Sequence, residues 1–223
     1  MLYRNPNSGD SLDLSQGLGP AIAHELKRLG DLSQTDGVTP LDLGEVAGRL
    51  ILRQVGENAS REGLLRTPQR FAKALREICS GYTKTVAEVV GEGVFDAEGG
   101  GLVSVKDIEF FSLCEHHMLP FWGKASVAYL PDKKIMGLSK VARVVDLFAR
   151  RLQVQERLTR EVAVGLFEAV HPKAVAVRVK AAHTCIMMRG VQKQSSETVT
   201  EYFINLENLP PLERERILVS LGD

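Results

Sequence analysis

The chain has 223 residues, of which 44% are hydrophobic and 25% charged, with 28 lysines and arginines against 28 aspartates and glutamates. Those fractions exclude a globally disordered chain. A formal charge of zero excludes a general nucleic-acid binder, which needs a basic surplus to displace counterions, though not a local basic pocket for a phosphorylated small molecule. Three cysteines are too few for a disulfide framework, and their odd number fits a reducing compartment. The first twenty residues lack the apolar core of a signal peptide, and no apolar run approaches the roughly 20 residues that span a bilayer. The expectation is a soluble, cytoplasmic globular protein with neither a nucleic acid nor a membrane as partner.

In chain order, residues 1–15 are polar and rich in Gly, Asn and Ser, as in a flexible tail. Residues 16–97 read as an N-terminal helical segment. Pro20 precedes Ile22, Leu26 and Leu29 at helical spacing, and Thr39-Pro40 opens a second helix through Leu43, Val46 and Leu50. Thr67-Pro68 opens a third, with Phe71, Leu75 and Ile78 on one face. Glu98-Gly-Gly-Gly101 breaks the texture, and residues 98–223 form the second domain. There Val103, Val105 and Phe110 begin a strand, and Lys124–Leu130 is another, ended by the Pro131-Asp132 turn. A helix capped by Ser139 follows, carrying Val141, Val144, Val145 and Phe148. The next carries Leu158, Val162 and Leu166 and stops before Pro172. A strand is expected from Ala174 to Ile186, with Val175, Val177, Val179, Ala181, His183 and Cys185 on one face. Strands and helices in this order make an α+β domain, with helices covering one side of an antiparallel sheet.

Cys114-Glu-His-His117 offers a thiolate and an imidazole three residues apart, and Cys185 can supply a third ligand. Two sulfurs and one nitrogen suit Zn²⁺ better than Mg²⁺ or Ca²⁺, and three protein ligands leave the fourth tetrahedral position for water. A structural zinc would need a fourth ligand, which Cys79 or His116 could supply. Buried free cysteines are also common as small hydrophobes, and Cys79 beside Ile78 reads that way. Three of the five histidines lie beside the candidate cysteines, which favours catalysis. Two of them, His116 and His183, remain for proton transfer.

Ser139-Lys140-x-x-Arg143 sets two cations on the opening turns of a helix, where free N–H groups favour anions. Arg189 precedes Gly190 just beyond Cys185. Three cations could hold a triphosphate; for Lys140 and Arg143 alone a solvated helix face is the stronger reading. No P-loop pattern occurs, which excludes an ATPase-type cradle. Gln155-Glu156 pairs an amide with a carboxylate, the groups that read guanine's N1–H and exocyclic amine, or else simply opens a helix.

Four segments together resemble the signatures of the GTP cyclohydrolase I family. They are Phe111-Ser-Leu-Cys-Glu-His-His-Met-Leu-Pro-Phe121, Gly137-Leu-Ser-Lys-Val-Ala-Arg143, Gln153-Val-Gln-Glu-Arg-Leu-Thr159 and His183-Thr-Cys-Ile-Met-Met-Arg-Gly-Val191. Gly63–Ala72 is similar to the family's preceding helix, so the resemblance runs from about Leu50 to about Thr200. It implies the tunnelling fold, an antiparallel four-stranded sheet with two helices on one face, preceded by helices. It implies zinc ligands at Cys114, His117 and Cys185, and proton-transferring histidines at His116 and His183. Triphosphate contacts fall on Ser139, Lys140, Arg143 and Arg189, and guanine contacts on Gln155 and Glu156. The implied reaction is zinc-dependent addition of water to C8 of GTP, ring opening, loss of formate and reclosure to 7,8-dihydroneopterin triphosphate, the entry to folate and pterin synthesis. The implied assembly is a homodecamer of two stacked pentamers with active sites between subunits. The segment after Thr198 departs from the family pattern, and residues 1–40 match nothing in it. A non-catalytic binder with structural zinc would hold GTP without turnover. A different tunnelling-fold enzyme acting on a pterin or deazapurine would lack the Cys-Glu-His-His and His-Thr-Cys segments.

Overall fold

The computed structural model describes residues 40–99 and 101–222, with side chains from Leu43 onward. The expected tail at 1–15, the helix around Ile22, Leu26 and Leu29, and the Thr39 cap lie outside the described residues. The chain divides between Leu75 and Arg76 into two compact units. In the first, α1 (Pro40–Gln54) packs against the start of α2 (Thr67–Ile78). Gly44 and Gly48, one turn apart, permit the approach: a Cβ at Gly44 would stand 2.7 Å from the Cβ of Ala72, and one at Gly48 3.0 Å from the Cα of Pro68.

The second unit holds the sheet. Its elements are α3 (Val86–Val90), β1 (Val94–Asp96), β2 (Val103–Cys114), β3 (Pro120–Leu130) and β4 (Lys134–Met136). Then come α4 (Leu138–Ala149), β5 (Leu152–Gln153), α5 (Gln155–Val170) and β6 (Ala174–His183). The chain continues through the one-turn α6 (Thr184–Met187), β7 (Thr198–Ile204) and α7 (Pro211–Ser220). The main sheet runs β5-β2-β3-β6-β7, antiparallel except where the two-residue β5 lies parallel to the end of β2. β1 and β4 form a separate antiparallel pair. The protein is therefore α+β, and no helix among the described residues is long and apolar enough to cross a membrane.

The expected valine alternation in β6 is present, and Val175, Val177, Val179 and Ala181 face α4 and α5 across one continuous core. The opposite face is also covered near one end. There Ala128, Leu130, Ala174 and Ala176 meet Leu206, Leu209, Ile217 and Leu221 in a second cluster.

Two local expectations are corrected. The cap of α4 is Gly137 rather than Ser139, because the Gly137 carbonyl accepts from the amides of Lys140 (2.8 Å) and Val141 (3.4 Å), and Ser139 sits inside the first turn. The last strand stops at His183 rather than Ile186, where the backbone turns into α6, so Cys185 is carried by a helical turn and not by strand alternation.

Neither α4 nor α5 has a side-chain N-cap. A cap contributes about 1 kcal/mol. One buried Val or Leu contributes about 1.5–3 kcal/mol. Val141, Val144, Val145, Leu158, Val162 and Leu166 are all at most 1% exposed, so packing rather than capping holds both helices.

Candidate active site

β2 and β3 are joined by a tight loop whose neck is closed on itself. The amide of Cys114 donates to the Leu119 carbonyl and that of Met118 to the Cys114 carbonyl, each at 2.8 Å, and Met118 takes a left-handed φ of 53°. Cys114 is buried at the strand end, while Glu115, His116 and His117 are pushed outward. Two further ties hold this loop. The Glu115 amide donates to the Gln153 carbonyl at 2.9 Å, and the Glu115 carboxylate pairs with the Arg157 guanidinium on α5. Arg157 also donates to the Gln153 side chain (2.8 Å) and the Leu152 carbonyl (3.1 Å), and it holds the Glu115 carboxyl below its ordinary range.

β6 delivers the other half. Its register sets His183 opposite Phe121, and the two rings stack with centroids 4.5 Å apart and 4° between planes. Two residues on, Cys185 points back toward the β2–β3 loop. The donor atoms of Cys114, His117 and Cys185 all lie within 4.8 Å of one another, and Cys114 Sγ stands 3.7 Å from His117 Nδ1. Tetrahedral zinc with bonds of about 2.3 Å to sulfur and about 2.0 Å to nitrogen would separate S from N by about 3.5 Å, so the donors fit such an ion. Burial, and next to it the neighbouring Cys114 sulfur, push the Cys185 thiol up. A divalent cation between the sulfurs would reverse both effects, since sulfur ligates as thiolate.

His116 stands close by, its Nδ1 3.6 Å from the same Cys114 sulfur. Cys79, weighed above as a further ligand, is not part of the Cys114–His117–Cys185 group, and burial raises its thiol. Arg189 brings its guanidinium to 3.4 Å from His117 Nε2, which places one cation at the rim of the cluster. Burial lowers the His183 imidazole, and the Glu156 carboxylate opposes that shift from the start of α5. Glu156 is exposed. Gln155 is 2% exposed, and its carboxamide is turned into the protein.

Ser139, Lys140 and Arg143 are placed elsewhere. α4 leads into β5, which pairs with Leu113 and Cys114, so the Ser139 turn lies about 15 Å back along the helix axis. Lys140 and Arg143 line a cleft of ≈ 560 Å³ together with Lys84 and Arg150, with Glu88 and Asp146 on its wall. Burial raises the Asp146 carboxyl, with Arg150 opposing. One chain thus carries a Cys/His cluster with one arginine at one end of the sheet, and a four-cation cleft apart from it.

A family model of GTP cyclohydrolase I matches residues 45–219. The chain belongs to the GTP cyclohydrolase I family. It is 56% identical over 167 residues to GTP cyclohydrolase 1 of Deinococcus radiodurans, covering 75% of this chain and 77% of that protein. It is 50% identical over 168 residues to the Leptospira biflexa protein of the same name, covering 75% and 92%. With the human one it shares 48% over 168 residues, covering 75% and 67%.

The cysteines, histidines and cations of the GTP cyclohydrolase I signatures stand out in the chain's own residue types. Their supports do not. Glu115 and Arg157 are 42 positions apart, and Phe121 and His183 are 62 apart, so neither pair has a local signal; only the fold joins them.

Proposed function

We propose that the chain catalyses the GTP cyclohydrolase I reaction: hydrolytic opening of guanine's imidazole ring, release of formate and reclosure to 7,8-dihydroneopterin triphosphate. The balance is net consumption of one water, two being added and one lost on reclosure. The observation that carries the proposal is the convergence of Cys114, His117 and Cys185 within 4.8 Å, beside His183 and its electrostatic neighbour Glu156.

Cys114, His117 and Cys185 are the residues that would hold zinc, and the bound ion would supply Lewis acidity that makes water nucleophilic at neutral pH. His183 is the proton-transfer group that meets the purine, its plane set by Phe121, and His116 is the second imidazole within reach of the cluster. Glu156 accepts from guanine's N1–H and exocyclic amine, orienting C8 toward the Cys/His cluster. Gln155, the other guanine group implied by the resemblance, opens the same helix. Arg189 holds a phosphate at the rim. Glu115 in the loop and Arg157 on α5 keep Cys114 and His117 in place against the pull of a highly charged substrate.

Ser139, Lys140 and Arg143 complete triphosphate binding from a second copy of the chain. Their distance from the cluster supports this, as does the apolar surface around it: Phe111 is 61% exposed, Met188 64% and Val191 65%, a patch that suits a protein partner. Four long strands with α4 and α5 on one face support the tunnelling fold, its domain taken to include α3 and β1, which belong to the same compact unit as the sheet. Sheet edges joined between copies would form a ring, and two rings the homodecamer. A cytoplasmic location fits the reduced state that both sulfur ligands require.

The test is incubation of the zinc-loaded protein with GTP, following formate and the fluorescent pterin produced on oxidation. Formation of both in equal amounts is expected. GTP bound but unconverted, with zinc bound, would overturn catalysis and leave a nucleotide-binding protein.

A further inference from the structure

The carboxamide of Gln155 has its orientation fixed by what surrounds it. Its Nε2 lies 3.0 Å from the Val179 carbonyl and 2.9 Å from the Thr198 carbonyl. Both partners only accept, so the NH₂ group must face them. The oxygen is then left facing His183 Nε2 at 2.7 Å. An amide oxygen only accepts, so His183 Nε2 carries a hydrogen whatever the charge on the ring.

A hydroxyl chain locks the same arrangement from behind. The Thr159 hydroxyl donates to the Gln155 carbonyl at 2.7 Å. Thr200 Oγ1 lies 2.6 Å from Thr159 Oγ1, so with Thr159's hydrogen already committed Thr200 must be the donor. Its oxygen also faces Gln155 Nε2 at 3.1 Å, so the two hydrogens of that group are shared among three acceptors. Thus the donor and acceptor roles are fixed all the way from Thr159 to His183. Among the described residues His183 Nδ1 makes no hydrogen bond, and Phe121 covers one face of the ring.

We infer that Gln155 is a positioning residue, holding His183 with Nε2 as donor so that Nδ1 is the nitrogen presented to the substrate. Which imidazole nitrogen does chemistry is set by the bond the other one makes. The inference rests on the proton-transfer role of His183 proposed above. It gives Gln155 a part that its 2% exposure allows, where a side-chain contact to guanine would have to break both N–H donations and the bond from His183.

Gln155→Met keeps the length and removes the acceptor. In the zinc-loaded protein kcat is expected to fall about 10–100-fold, the usual loss when a group orienting a catalytic imidazole is removed. KM for GTP and zinc content are expected to stay within about twofold, because no ground-state contact is lost. A kcat within twofold of native overturns the inference, whatever KM does. The intact protein gives a second readout that does not depend on how the variant folds. It is made with ring-¹⁵N histidine, and the His183 resonances are assigned by their loss in His183→Ala. A hydrogen on Nε2 is expected; one on Nδ1 alone overturns the inference. A native protein that converts no GTP would instead defeat the parent proposal, and the ring spectrum would still decide where the hydrogen sits.

Discussion

Replacing Cys185 by serine isolates the third ligand with little other change, because the side chain is 8% exposed and the swap nearly preserves its volume. Serine has no accessible anionic form at neutral pH, so the site drops from three anion-or-imidazole donors to two. Four-ligand structural zinc sites bind with about 10–16 kcal/mol, or about 2.5–4 kcal/mol for each ligand. Losing one therefore weakens zinc binding by about two to three powers of ten. The geometry supports the full figure, since Cys114 and His117 are held together by a loop whose neck is hydrogen-bonded shut, and among the described residues no other donor belongs to the group. The assay is zinc content after dialysis against a chelator of graded strength, measured beside GTP turnover on the same sample. Zinc occupancy and formate production are expected to fall together, with the melting temperature of the zinc-free forms unchanged. Full zinc with full turnover in Cys185→Ser would refute the assignment of Cys185.

His183→Ala is expected to keep its zinc and lose about 10²–10⁴-fold in kcat, the usual share of a proton-transfer group, and an unchanged kcat would remove it from the mechanism. Arg143→Ala is expected to lower kcat/KM for GTP by about 10–100-fold, the equivalent of one charge-assisted hydrogen bond. Mixing it with Cys185→Ser protein should recover part of the activity, since each then supplies what the other lacks; no recovery in mixed oligomers would argue against a shared site. Gly123→Ala tests the register that brings Phe121 to His183. An added Cβ would stand 1.8 Å from the Lys180 carbonyl oxygen, so β3 and β6 must part. The expected cost is about 3 kcal/mol, a fall of about 6–12 °C in Tm by calorimetry, and a native Tm would show that the strands accommodate the methyl.

Much of the fold was legible because local rules and the final packing agree. Thr67-Pro68 does open a helix that ends at Ile78, and the valines of β6 do face the core. Ser139 misled because a good capping side chain lay two residues past the glycine whose carbonyl starts the helix. Cys185 was expected on the face of His183 by alternation. It converges with Cys114 instead through the turn that ends the strand, a change of backbone no periodicity announces. β5 is two residues long and exists only because the end of β2 offers it an edge.

Residue chemistry by itself determined what the centre is made of: two sulfurs, imidazoles, a carboxylate and cations, each recognisable from its type and its neighbours in the chain. Only the tertiary structure decided which of these stand together. The three donors of Cys114, His117 and Cys185 converge from the end of β2, the loop after it and the turn after β6, whereas Lys140 and Arg143 line a separate cleft. It also decided that Gln155 looks inward, because the start of α5 is pressed against β6 and β7, where two backbone carbonyls need donors and a histidine needs an acceptor. Hydrogen-bond satisfaction between residues 24 to 45 positions apart is a property of the packed state, and a linear pattern carries no trace of it.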